Sequence, residues 1–172
     1  MLLVNFKKRI LHKNFQKKLH ALAHTRVASS KKIQTIGVLT TDALSSQLDI
    51  SDDLKHRFKG VTSIQMYSFK KSLKNTSTDD CFFTEKDFNW LGGINNVNFQ
   101  SFLETPFDLL IGYFDKQHLF LELAMFKSVA TFKIGFSNVN DALYDMIVHE
   151  TTEHVVAVNG LIEKYLKILK KL

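Results

Sequence analysis

Two short runs constrain the fold more than anything else in this chain: "IQTIGVLTT" at residues 33–41 and "FDLLIGYF" at residues 107–114. The first is uncharged and rich in β-branched residues; the second carries one charge, Asp108, close to its start. A strand with one wet face alternates apolar and polar residues, whereas a continuous apolar run belongs to a strand covered on both faces. Such strands need helices above and below them. The two runs therefore call for a three-layer α/β protein with a mostly parallel sheet.

The remaining segments supply the layers. Ser51, Asp52 and Asp53 open a helix that ends at Gly60, because a hydroxyl and two acids suit the free N–H groups of a first turn. "VTSIQMYSF" is expected as the second strand, "KKSLKNTSTDD" as a polar loop and "CFFT" as a short third strand, with Cys81 a buried thiol. "EKDFNWLGGINN" reads as a turn at Gly92–Gly93, either a lid packed on the sheet edge by Phe88, Trp90 and Leu91, which aromatic burial favours, or a recognition surface of Trp90 with Asp87 and Asn89. "KQHLFLELAMFKSV" has a helical apolar face and leads into the strand "ATFKIGFS", completing a βαβ unit. "ALYDMIVH" is a last strand. A closing helix runs from about Thr152 to Lys171, with Val155, Val158, Ile162, Tyr165, Leu169 and Leu172 on one apolar face.

"HETTEH" at residues 149–154 raises the question of a zinc site. His149 and His154 are five apart, which turns them away from each other on a helix, and no third ligand is evident. The expected reading is structural: His149 ends a strand, Thr151 or Thr152 caps the closing helix, and Glu153 sits in its first turn. No metal and no cofactor is expected.

Charge divides the chain. Residues 1–41 hold nine Lys or Arg and no acid, while the remainder holds 14 basic and 17 acidic residues. Residues 3 to about 24 read as a helix, with Val4, Leu11, Phe15, Leu19 and Leu22 on one side and Arg9, Lys13, Lys17, His20 and His24 on the other. Leu3, Phe6 and Ile10 form a second apolar patch, so the segregation is imperfect. Residues 1–32 are thus a basic helix and connector, and residues 33–172 a single α/β domain.

At "EKDFNWLGG", "FDLLIGYF", "ATFKIGF" and "YDMIV" the chain resembles a small uncharacterised family of Bacteroidota proteins, over roughly residues 1–170. The resemblance implies a bacterial cytoplasmic protein with a Rossmann-like core, and it supplies no catalytic residues.

In parallel sheets ligands sit outside the carboxyl ends of the strands. That rule sets aside Asp108 and Asp145, which open their strands and are expected to accept hydrogen bonds there. It selects Thr41, Asp42, Lys70, Lys71, Asp115, Ser137 and Asn138 as a candidate pocket. No phosphate-binding glycine loop follows the first strand, so dinucleotide or P-loop binding is disfavoured. Gly37, Gly112 and Gly135 lie inside or near strands, where close packing of a helix is the expected reason for glycine.

The leading expectation is a non-enzymatic accessory protein whose basic helix contacts RNA, for example in the ribosome, through Arg9, Lys13, Lys17, His20 and His24. A small-ligand binder or enzyme at the strand ends is the first alternative. A peripheral protein on an anionic membrane is the second; Lys8 and Lys18 interrupt its apolar side and no Trp lies on the helix to anchor it. Oligomeric state is left open.

Overall fold

The computed structural model describes residues 2–22, 31–71 and 81–172, with side chains of the first helix from residue 5 to residue 19. Six strands, β1 (Thr35–Thr41), β2 (Ser63–Phe69), β3 (Phe82–Phe83), β4 (Leu109–Tyr113), β5 (Phe132–Phe136) and β6 (Met146–Val148), form one sheet ordered β3-β2-β1-β4-β5-β6. Every pairing is parallel. The chain works outward from β1 to β3, returns to the centre for β4, and works outward again to β6. This is the order of a doubly wound, Rossmann-like sheet.

Helices α1 (Leu2–Leu22), α4 (Val97–Glu104) and α5 (Leu119–Lys127) cover one face, and α3 (Ile50–Arg57) and α6 (Val155–Ile168) the other. A six-residue helix, α2 (Asp42–Gln47), follows β1 directly. Period-two alternation sorts the strands between the layers. Ile36, Val38, Leu109, Ile111, Ile134 and Phe136 point toward α3 and α6; Leu39, Tyr67, Phe69 and Leu110 point toward α4 and α5.

The three in-strand glycines share this second face, and side chains rather than a helix backbone account for them. A Cβ on Gly135 would stand 2.6 Å from the Tyr144 ring, one on Gly112 would stand 3.0 Å from the Tyr144 hydroxyl, and one on Gly37 would stand 2.8 Å from Phe107 and Leu110. Bulky side chains lie flat on the sheet where the glycines leave room.

Two charged residues inside buried segments have structural work. Lys133, only 6% exposed in the middle of β5, donates from Nζ to the carbonyls of Met125 and Ser128, which close the end of α5. An ammonium there meets the negative pole of the helix. Asp108, 4% exposed, performs the strand-entrance role expected of it. Its Oδ2 accepts from the N–H groups of Gln34 and Thr35 and from Thr35 Oγ1, and Lys31 pairs with its other oxygen at 2.6 Å. Asp145 does the same for β5, accepting from Lys133 N at 2.7 Å.

The basic helix packs on its own core. Leu11, Phe15 and Leu19 are buried, and Phe15 meets Phe126 of α5 edge-on with centroids 5.6 Å apart. Other expectations need correction. Residues 97–104, to which no element was assigned from the sequence, form α4, capped by Asn96 Oδ1 accepting from Phe99 N. The helix expected from Ser51 starts at Ile50 after Asp49, with no side-chain cap bond. The closing helix starts at Val155 after His154 rather than at a threonine cap, and Thr152 instead donates to Asp115. Its buried stripe is Val158, Ile162 and Leu166, leaving Tyr165 and Leu169 exposed, because the sheet sees a line of steps of four. Cys81 is exposed, since β3 begins only at Phe82.

Replacing Asp108 by alanine strands two backbone donors in a buried site, a loss of about 2–4 kcal/mol in urea unfolding at neutral pH. Burial pushes the Asp108 carboxyl up, but the Lys31 pair and the bonds from Gln34 and Thr35 outweigh it and hold the group below its ordinary value. That part of the stability is present above the unfolded value near pH 4 and is lost as pH falls through the lower folded one. The gap between wild type and Asp108→Ala is therefore expected to narrow in acid.

Candidate functional site

In a sheet of this order the chain turns opposite ways from β1 and β4, and their diverging connections leave a crevice beyond the carboxyl ends. Here β1 runs into Thr41, Asp42, Ala43 and Leu44, and β4 into Phe114, Asp115, Lys116, Gln117 and His118. These two exits, with Phe69 and Lys71 after β2 and Thr152 and Glu153 before α6, line a cleft of about 590 Å³. Thr40 Oγ1 donates to the Tyr113 carbonyl at 2.9 Å and fastens the two exits together from beneath.

The cleft has an apolar base and a polar rim of both signs. Phe69 and Phe114 are buried side chains at its base. Asp42, in the first turn of α2, lies 3.6 Å from Lys70 Nζ, and that ammonium also stands 4.9 Å from the Phe82 ring centroid. Asp115 accepts from Thr152 Oγ1 at 3.1 Å, which ties the β4 exit to the entrance of α6. Lys71, Lys116 and Glu153 are exposed along the rim.

His118 is the residue with most chemistry. It caps α5, with Nδ1 accepting from Leu121 N at 3.3 Å, and its ring meets Phe69 edge-on at 4.3 Å. A neutral ring accepting at Nδ1 carries its proton on Nε2. Burial lowers its proton affinity, and the charges of Lys71 and Lys8 act in the same direction. The group is thus held as a neutral imidazole that can donate one hydrogen bond.

Thr41, Asp42, Lys71 and Asp115 come together as the strand-end rule expected, and Lys70 stands beside them through Asp42. Ser137 and Asn138 lie apart beyond β5: Ser137 Oγ is 3.0 Å from His149 Nδ1, and Asn138 adopts a left-handed backbone with φ 67°. His154 Nδ1 is 3.3 Å from Glu150, and among the described residues no three His, Cys, Asp or Glu form a metal-holding group. Arg9, Lys13 and Lys17 are exposed along α1. The side chain of His20, and all of His24, lie outside the described residues.

Sequence reasoning missed Phe69, Phe114, His118, Thr152 and Glu153. His118 left a signal, a polar residue immediately before a helical apolar run, which is the position of a cap. Phe114 closes the apolar run of β4. Thr152 and Glu153 reach the cleft only because the last connection folds back over it.

His118→Asn keeps a capping oxygen but removes the titration. A histidine with a depressed folded value contributes stability that is present above its unfolded value near 6.5 and is lost as pH falls below it. The melting temperature of wild type is expected to drop more steeply between pH 7 and pH 5 than that of His118→Asn. Parallel curves would show that His118 is not the titrating group.

No curated protein and no solved structure matches the chain. A protein-family profile matches residues 7–169, covering α1 from its second turn, the whole sheet and all of the closing helix. The chain therefore belongs to DUF6913, a family of unknown function.

Proposed function

We propose that the protein binds a small polar molecule in the cleft at the switch point between β1 and β4. The observation that carries this reading is the convergence there of an apolar base, Phe69 and Phe114, with hydrogen-bonding groups of both signs around it. Pockets that hold metabolites have this composition: apolar walls for contact, and a few placed polar groups for orientation.

The ligand class follows from what surrounds the crevice. A pyrophosphate needs open N–H groups and close backbone approach. At the β1 exit stand Thr41, Asp42 and Ala43 instead, with a carboxylate in the first turn of α2. Dinucleotides are disfavoured. A compound with a flat or apolar portion and uncharged or zwitterionic polar groups suits the rim better.

Binding rather than chemistry is the reading the hydroxyls support. Thr41 Oγ1 accepts from Leu44 N as the cap of α2, and the buried Thr152 commits its hydroxyl proton to Asp115, so both serve the frame. A bacterial cytoplasmic setting belongs to the same proposal, on the sequence resemblance. An RNA or ribosome contact through Arg9, Lys13 and Lys17 draws on charge alone, whereas the cleft joins topology, shape and chemistry at one place.

A thermal-shift screen of nucleosides, amino acids and sugars tests the reading. A ligand at 100 times its dissociation constant adds about 2.7 kcal/mol, which raises the melting temperature by about 5–10 °C in a domain of this size. Asp115→Ala and Lys71→Ala are expected to reduce that shift. A screen with no shift, or a shift indifferent to both variants, would remove the cleft as the binding site.

A further inference from the structure

The outer side of α1 carries more than charge. Phe6, Arg9, Lys13 and Lys17 follow steps of three, four and four, so they form one line away from the buried Leu11, Phe15 and Leu19. Phe6 is 58% exposed, and Trp90 lies against it with ring centroids 6.3 Å apart while itself remaining 45% exposed. Leu91, the next residue, is 81% exposed. Phe6, one of the residues that blurred the segregation of α1, is therefore half of a surface whose other half arrives from a distant loop.

Of the three residues expected to pack as a lid only Phe88 is buried, and the loop is built to hold Trp90 and Leu91 outward. Phe88 is buried beneath it and bridges to Ile94, and Thr84 and Asp87 form a reciprocal cap on the turn that precedes it. Asn89 Oδ1 accepts from the N–H groups of Leu91 and Gly93 at 2.9 and 2.8 Å, and Gly92 takes the left-handed conformation the reversal needs, with φ 83°. The nearby acids are engaged: Glu85 pairs with Lys8 at 2.8 Å, and Asp87 serves the cap. Lys8, which in the sequence interrupted the apolar side, is turned to Glu85, and the missing Trp is supplied by residue 90.

From this juxtaposition we infer that α1 and the Trp90–Leu91 tip seat the protein on an anionic bilayer surface. Leu91 and Phe6 enter the acyl boundary, Trp90 lies at headgroup level, and Arg9, Lys13 and Lys17 face the lipid phosphates. An indole, a phenyl ring and an aliphatic tip beside a row of cations is the composition of an interfacial surface. No described helix is long and apolar enough to cross the membrane, so contact is with one leaflet. Single-stranded nucleic acid fits less well. Base stacking needs an open flat ring, whereas the Phe6 and Trp90 rings are tilted 57° against each other and Leu91 gives a nucleotide nothing to stack on. None of these residues lines the switch-point cleft, so the two proposals stand or fall separately.

The test is flotation of the full chain with phosphatidylcholine vesicles, with and without phosphatidylglycerol, combined with fluorescence. Trp90 is the only tryptophan in the chain, so its emission reports on the tip directly. Flotation with phosphatidylglycerol and a blue shift of emission are expected. Neutralising Arg9, Lys13 and Lys17 with glutamine should weaken partition roughly fivefold per residue. Leu91→Glu, at a site exposed enough to leave the melting temperature unchanged, should abolish the blue shift. Equal recovery with both vesicles, or binding indifferent to Leu91→Glu without a fluorescence change, would overturn the inference. So would salt-sensitive binding to poly(U) RNA with no flotation, which would assign the surface to nucleic acid instead.

Discussion

The Asp108 carboxylate sets the geometry on which the rest of the protein depends. It joins the amino ends of β1 and β4, the two parallel strands between which the winding of the chain reverses, and fixes which residue of one stands beside which residue of the other. At the opposite end Thr40 and the Tyr113 carbonyl repeat the fastening. A slip of one residue would invert every side chain in the strand. Gly37 would then leave its place against Phe107 and Leu110, and Gly112 its place against Tyr144. The cleft lies where it does because Asp42 and Asp115 follow strands of fixed register, and a carboxylate about five residues of strand away helps to position them.

The glycines on one face make a second constraint intelligible. The chain holds fifteen phenylalanines, and many of them serve one layer. Phe83 and Phe99 stack with centroids 4.0 Å apart and planes within 8°, and Phe69 and Phe120 stack at 5.8 Å. Phe88, Phe102, Phe107 and Phe114 join the same cluster. One glycine in each of β1, β4 and β5 leaves room on this face for bulky rings, Gly37 for Phe107, Gly112 for Phe114 and Tyr144, and Gly135 for Tyr144. The helix α1 rests on the far side of that cluster through Leu11, Phe15 and Leu19. Its apolar stripe is thus part of the main core, and the basic character of the segment belongs to its outer face.

What the sequence revealed, and what it hid, follows the range of the interactions. β1 and β4 were legible because a strand buried on both faces must be apolar throughout, and Asp108 was legible because a lone acid at the start of such a strand has few other uses. The helix α4 was hidden: Phe99, Phe102 and Leu103 have helical spacing, but they span little more than a turn and lie just after a pair of glycines. Tyr165 and Leu169 were assigned to the buried stripe of α6 because apolar residues on neighbouring faces look alike until the sheet chooses one. Cys81 was placed inside as the first residue of the strand "CFFT", although the strand starts after it. The near half of the cleft followed from the strand-end rule. Its far wall, Thr152 and Glu153, and the pairing of Phe6 with Trp90 depend on contacts between segments far apart in the chain, which no local pattern encodes.

The cleft and the basic helix are also not independent in their electrostatics. Lys8 is held toward the core by Glu85 and stands 5.7 Å from the Phe120 ring centroid, and Phe120 comes two residues after His118 at the start of α5. From there the ammonium acts with Lys71 to disfavour a proton on His118, adding to the larger effect of burial. The cap on α5 therefore stays a neutral acceptor, as the Leu121 N–H requires. A helix that joins the core through its apolar side thereby also helps to set the protonation of a cleft residue. This is a physical reason to regard residues 2–22 as part of the domain rather than as an arm attached to it.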